Sequence, residues 1–261
     1  MSMGELDGRV AVITGGTRGI GRAIAEAFLA DGAQVVISGR NVAKGEQAVA
    51  EINAGDNVLF VPGDAAVRED CEALIAAAAA QFGSVDILVN NAGGSKNNAP
   101  VAQLTDEAMD WALRVNLWST FWCSRAALAH MIPNQWGRIM NISSTEGKVG
   151  KPGIAVYVTA KHAVNGLTKS MAQEVGTLGI TVNALCPGAI ETDMMKTDGP
   201  PAAQSMGISY EALLDWFAQE SAIKRLNDVD DVAMVASLLA SEAGAGITGS
   251  LISIDGGSAP Y

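Results

Sequence analysis

Short runs of β-branched and other apolar residues, at 9–14, 34–38, 58–62, 87–90, 138–142, 181–186 and 251–254, recur along the chain with longer stretches of helical character between them. Each run is almost continuously apolar, the pattern of a strand buried on both faces. The intervening segments predict helices over 19–31, 42–53, 68–82, 106–131, 157–177 and 228–239, with polar starts at Thr105 and Asn227 and with Gly32 placed to end the first. Strand and helix alternating at this pace imply parallel strands joined by right-handed crossovers, with helices on both faces of the sheet. The expectation is a doubly wound α/β fold of seven parallel strands, with ligands bound at their carboxyl ends. A chain of 261 residues, 49% of them hydrophobic, suffices for one such core, so a single domain over 1–261 is expected.

One stretch breaks the rhythm. Residues 187–221 are about twice the length of an ordinary connection and are rich in Gly, Pro, Ala and Met. Within them Tyr210, Leu213, Leu214 and Phe217 recur at helical spacing, which predicts a short amphipathic helix closing over a pocket, a lid at about 192–221.

Charge narrows the partners. With a net charge of −11, the chain repels polyanions, so neither nucleic acid nor an acidic membrane is expected as a partner. The start MSMGELDGRV has no charged, then apolar, leader pattern, and no apolar run is long enough to span a bilayer, so a soluble cytoplasmic protein is expected. Cys71, Cys123 and Cys186 are odd in number and lack CxxC spacing, which reads as reduced core thiols. His130 and His162 have no second ligand at metal-binding spacing, so no metal is expected.

The chemistry lies in the turns. TGGTRGIG at 14–21 joins the first strand to the first helix, where glycines permit a tight turn and backbone N–H groups reach a pyrophosphate, as in Rossmann-type dinucleotide sites. The second strand ends VVISGRN; Gly39 and then Arg40 stand where such folds usually hold a ribose-binding carboxylate. Arg40, helped by Arg18, suits the additional phosphate of NADP(H); NAD(H) is the alternative if Arg40 only points into water. Tyr157 and Lys161, four residues apart at a helix start, share one face, and a lysine ammonium there is expected to lower the phenol pKa toward neutrality.

Taken together, TGGTRGIG, NNAG at 90–93, Asn116, the serines Ser143 and Ser144, YVTAK at 157–161 and PG at 187–188 resemble the short-chain dehydrogenase/reductase family over nearly the whole chain, down to IDGG at 254–257. The resemblance implies a catalytic tetrad of Asn116, Ser144, Tyr157 and Lys161, with hydride passing between nicotinamide and a substrate carbonyl carbon. It gives Tyr157 the proton, Ser144 a hydrogen bond to the reacting oxygen, Lys161 the nicotinamide ribose, and Asn116 a water relay. It assigns Gly15, Thr17, Arg18 and Ile20 to the cofactor phosphates, Arg40 to the ribose phosphate, Asp64 and Ala65 to adenine, and Asn91, Ala92 and Gly93 to the middle of the cofactor. Pro187 and Gly188 form the turn before Ile190 and Thr192, which match positions that meet the carboxamide. Asn90 is expected to tie strands together, and Ser143 to fix the loop. By the same resemblance a homotetramer is expected through the two long helices, with Trp111, Trp118 and Trp122 on the first and the tail 258–261 reaching a neighbour.

PGAIETDM at 187–194 resembles bacterial β-ketoacyl carrier-protein reductases, and STEGKVG at 144–150 resembles aromatic polyketide ketoreductases. Met194, Met195, Met206, Trp216 and Phe217 in the lid segment favour an apolar, cyclic or β-keto acyl ketone over a polar sugar. A carrier-borne substrate calls for a basic patch at the pocket mouth, with Lys148, Lys151 and Lys196 as the candidates; a free or coenzyme-linked small ketone is the preferred reading. The rival readings are an NAD-dependent secondary alcohol dehydrogenase and a catalytically idle NADP(H)-binding sensor.

Overall fold

The structure, a computed structural model, describes residues 4–96 and 98–259. Seven strands, β1 (Val10–Ile13), β2 (Gln34–Gly39), β3 (Val58–Pro62), β4 (Ile87–Asn90), β5 (Gly137–Ile142), β6 (Ile180–Pro187) and β7 (Leu251–Ile254), form one sheet in the order β3-β2-β1-β4-β5-β6-β7. Every pairing is parallel. The chain winds outward from β1 to β3, then returns to lay β4 on the other side of β1 and winds the opposite way to β7. That reversal opens a crevice at the carboxyl ends of β1 and β4.

Successive strand residues enter different layers, because side chains alternate across a pleated sheet. Ala11 and Ile13 face a core built with α1 (Gly19–Ala30), α2 (Val42–Ile52) and α9 (Val229–Ala240), whereas Val10 and Val12 face α3 (Arg68–Phe82), α5 (Ser119–Asn134) and α6 (Ala155–Val175). Both layers are dry, which is why the strands read as unbroken apolar runs. Phe28 on α1 is fully buried, a contribution of about 2 to 3 kcal/mol.

The helix expected over 106–131 is instead two, α4 (Asp106–Leu113) and α5, joined by a π-helical turn at Arg114–Trp118. Such turns insert an extra residue and re-aim the side chains around them. Thr105 caps α4, accepting from the Ala108 N–H. At α9 the cap is Asp228, not Asn227, because Asp228 accepts from the Val229 N–H and the Asp231 carboxylate accepts in return from the Asp228 N–H, a capping box. Gly32 follows α1 with φ of 95°, as expected.

The long connection after β6 holds two helices, α7 (Asp193–Ser205) and α8 (Tyr210–Glu220). Only α8 was legible: Gly199, Pro200 and Pro201 interrupt the apolar pattern of α7, although the helix runs through both prolines. All three cysteines are free and buried. Cys71 and Cys123, distant in sequence, meet between α3 and α5, and the contact holds the Cys123 thiol well above its ordinary value. Among the described residues no helix is long and apolar enough to cross a membrane. Of the tail expected to reach a neighbour, Pro260 and Tyr261 lie outside the described residues.

Candidate active site

A cavity of about 530 Å³ runs along the carboxyl edge of the sheet. It is lined in turn by Gly15, Thr17, Arg18 and Ile20 after β1, Arg40 after β2, Asp64 and Ala65 after β3, and Asn91, Ala92 and Gly93 after β4. Ser144 after β5, Tyr157 and Lys161 on α6, and Pro187, Gly188, Ile190 and Thr192 after β6 complete it. The loops that follow six strands thus bring nearly all the expected residues to one hollow. Asn116 alone of the expected set does not line it.

At one end lies the Gly-rich turn. Gly15 adopts φ of 65°, a left-handed conformation that glycine reaches without strain. The Asn91 side chain holds this turn, donating to the carbonyls of Thr14 (2.9 Å) and Gly15 (3.0 Å). Thr14, a residue that the motif reading passed over, accepts through its hydroxyl from the N–H groups of Asn91 and Ala92. At Gly21 an added Cβ would stand 2.4 Å from the Asn91 amide nitrogen and 2.6 Å from the Gly15 carbonyl oxygen. No side chain caps α1 and no acid lies in its first turn. Its first N–H groups are therefore free to meet an anion.

Two arginines complete this end. Arg22 is engaged by Glu51 and Glu26, but Arg18 and Arg40 are exposed and pair with no carboxylate among the described residues. A Cβ on Gly39 would lie 3.0 Å from the Thr17 side chain, so the place usually held by an acid is crowded as well as vacant of one.

At the other end Ser144, Tyr157 and Lys161 converge. Lys161 is buried, with its ammonium donating to the Ile142 carbonyl at 2.7 Å. Burial pulls its pKa down to about 8. The expected depression of Tyr157 is not found: burial, and after it the charge of Glu146, push the phenol above its usual value, and the Ser144 hydrogen bond offsets only part of this. With its ammonium drawn to Ile142, Lys161 sits 5.5 Å from the Tyr157 ring centroid, beside the phenol rather than on its oxygen.

Asn116 is buried behind this end, in the π-helical turn. Its amide donates to the carbonyls of Gly94 and Ala112, both at 2.9 Å, and its side-chain oxygen accepts from the Gly94 N–H at 3.1 Å. It is therefore the residue that fixes the strand-to-loop turn after β4. Asn90 ties β4 to its neighbours, donating to Asn141 on β5 and Ser124 on α5. Ser143 donates to the Lys161 carbonyl at 3.5 Å and also meets the Cys186 thiol.

The lid residues divide. Met194, Met195 and Phe217 line the cavity, whereas Met206 and Trp216 are exposed outside it. Neighbours on a helix point about 100° apart, so Phe217 turns inward while Trp216 lies against it, with centroids 5.1 Å apart. Of the three lysines expected to form a basic patch, Lys196 is exposed but does not line the cavity, and the other two are engaged. Lys148 donates to the Leu251 carbonyl and the Ser253 hydroxyl, both at 2.8 Å, and Lys151 lies between Glu146 (3.9 Å) and Glu220 (3.5 Å). The sequence motifs assign Glu146 no role. The only hint was a charged residue two places after Ser144 in an otherwise neutral turn.

A family model described as short chain dehydrogenase matches residues 9–202. The D-beta-hydroxybutyrate dehydrogenase of Rhizobium meliloti (strain 1021) is 38% identical over 253 residues, 95% of this chain and 98% of that protein. The 3-oxoacyl-(acyl-carrier-protein) reductase of Vibrio cholerae serotype O1 is 39% identical over 253 residues, 97% of this chain and 98% of that one. A crystal structure of a variant actinorhodin polyketide ketoreductase with NADPH superposes with a TM-score of 0.93 at 33% identity, covering 97% of this chain and 98% of its own.

Proposed function

This chain belongs to the short-chain dehydrogenase family, and from that membership we propose that it is an NADP(H)-dependent oxidoreductase interconverting a ketone and a secondary alcohol, with Tyr157 as the proton donor and acceptor. The observation that carries the reading is the meeting of Ser144, Tyr157 and Lys161 at one end of a cavity whose other end is a Gly-rich turn under an uncapped helix. The cofactor, when bound, supplies or takes up the hydride; the remaining work falls to this chain.

The free N–H groups at the start of α1, with Gly15, Thr17 and Ile20, hold the pyrophosphate. Arg18 and Arg40, free of ion pairs among the described residues, hold the ribose phosphate. Asp64 and Ala65 flank adenine, Asn91 to Gly93 line the middle, and Pro187, Gly188, Ile190 and Thr192 orient the nicotinamide. That a solved neighbour of the same fold, a polyketide ketoreductase, is described with NADPH supports this reading.

Tyr157 gives its proton to the carbonyl oxygen in reduction and takes it back in oxidation. The phenol, held above its usual value by burial, is protonated at neutral pH and can donate in reduction. Ser144 hydrogen-bonds the same oxygen, Lys161 holds the ribose and replenishes charge near the phenol, and Asn116 steadies the wall through Gly94. Residues 192–221 act as the lid, with Met194, Met195 and Phe217 against an apolar ketone. Because Lys148 and Lys151 are engaged, a small free ketone is preferred to one carried on an acidic protein. Exposed Trp118, Met234 and Leu238 suit contacts within a homotetramer.

The deciding experiment measures initial rates with NADPH and NADH on cyclic, aliphatic and β-keto-thioester ketones. Turnover that Tyr157→Phe reduces by about a hundredfold or more, with cofactor binding retained, is expected. Tight cofactor binding without turnover of any ketone sinks the reading in favour of a sensor.

A further inference from the structure

Glu146 lines the same cavity as Ser144 and Tyr157. Its Oε2 accepts from the hydroxyls of Ser144 and, at 3.0 Å, Thr145, and the Glu146 N–H donates to Ser144 Oγ at 3.3 Å. The carboxylate is therefore held against the very hydroxyl that the reading above assigns to the reacting oxygen. Its Oε1 has no hydrogen-bond donor among the described residues, only Lys151 at 3.9 Å.

That lysine does not cancel it. Lys151 also faces Glu220 at 3.5 Å, so the three side chains together carry one negative charge toward the cavity. Of the other cations nearby, Lys148 is turned to β7 and Arg225 to the Leu226 carbonyl and Asp231, while Lys161, whose charge Glu146 does feel, is engaged by the Ile142 carbonyl and, on the reading above, by the cofactor ribose. A carboxylate on the substrate would meet a carboxylate on the enzyme, in a partly desolvated hollow where charge is poorly screened.

We propose that Glu146 is a specificity-determining residue, selecting uncharged ketones and secondary alcohols and rejecting those with a carboxylate within two carbons of the reacting carbon. This rests on the reading above for where the reacting carbon sits. Hydroxybutyrate, after which the Rhizobium meliloti relative is named, carries its carboxylate at that distance. On this inference it is not a substrate here.

The test compares acetoacetate with methyl acetoacetate, a pair differing in the charge. Binding is read by quenching of bound reduced-cofactor fluorescence in the Tyr157→Phe background, where the ketone is not consumed, and kcat/KM is read with Tyr157 intact. Acetoacetate is expected to bind at least tenfold more weakly than its ester, and Glu146→Gln, which keeps the shape and removes the charge, to narrow that ratio at least fivefold without changing the cofactor Kd. Glu146→Ala serves as a second variant with the same expected direction. Equal affinity for acid and ester, a ratio unchanged in both variants, or no binding of either ketone overturns the inference. The two readings fail separately: discrimination in binding with no turnover of any ketone in the panel above removes the oxidoreductase proposal and leaves Glu146 its role, whereas equal turnover of acid and ester does the reverse.

Discussion

The Lys161 ammonium donates to the carbonyl of Ile142 at 2.7 Å, so a buried cation is anchored to the last residue of β5, one helix turn from the phenol of Tyr157. The arrangement has a thermodynamic signature. Lys161 has a pKa of about 8 in the folded chain, against 10.5 for an ordinary lysine. Between these values the unfolded chain binds a proton that the folded one does not, so stability rises with pH through that window. Denaturant unfolding of the cofactor-free protein should show about 2 kcal/mol more stability at pH 10 than at pH 8 from this group. Lys161→Met should lack that increment; an identical pH dependence in both proteins contradicts the assignment.

Tyr157 titrates with the opposite sign. Its phenol is held above the usual value first by burial and next by Glu146, so it stays protonated where a free tyrosine ionises, near pH 10. Tyrosinate absorbance, taken as the difference between wild type and Tyr157→Phe, should show no ionisation of this residue at pH 10. Glu146→Gln should move its onset to lower pH. A Tyr157 that ionises below pH 9 in the cofactor-free protein would disprove both the burial and the charge arguments.

Arg40 and Arg18 pair with no carboxylate among the described residues and line the Gly-rich end of the cavity. Replacing Arg40 with Ala should weaken NADPH at least tenfold, about 1.4 kcal/mol, and leave NADH nearly unchanged. Arg18→Ala should act in the same direction. Cofactor titrations in which wild type prefers NADH, or in which both cofactors weaken equally, would show that neither arginine reads the extra phosphate.

Gly21→Ala would put a methyl group 2.6 Å from the Gly15 carbonyl, part of the backbone of the turn itself. Overpacking of this kind costs about 1 to 3 kcal/mol. A fall of several degrees in Tm and at least tenfold weaker NADPH binding are expected together, because the displaced turn is the one proposed to hold the phosphates. Gly150→Ala is the control, since its Cβ would meet nothing within 4 Å; equal effects at the two positions would refute the packing argument.

Sequence pattern carried the scaffold well, because strands buried on both faces leave an unmistakable apolar trace and the first β-α turn is written in glycine. It carried less where tertiary geometry intervenes. The π-helical turn at Arg114–Trp118 has no period of its own to read, so one long helix was expected where Asn116 sits on a break between two. The prolines of α7 masked a helix. Side-chain partners were the least legible: Lys148 and Lys151 looked like a basic mouth until their neighbours on β7 and α8 were known, and Glu146 is defined by what it faces rather than by its place in a motif.

The anchoring of Lys148 to Leu251 and Ser253 has a consequence for the order in which this protein is made. β7 leaves the ribosome after every other strand, and its pairing with β6, Leu251 against Ala184 and Ser253 against Cys186, puts in place the oxygens that Lys148 meets. The loop bearing Ser144 is held on one side by Asn165 of α6, which donates to the Gly147 carbonyl at 2.8 Å, whereas its tie to β7 through Lys148 forms only when synthesis is almost complete. One of the two ties on that loop is therefore missing for most of the time the chain is being made.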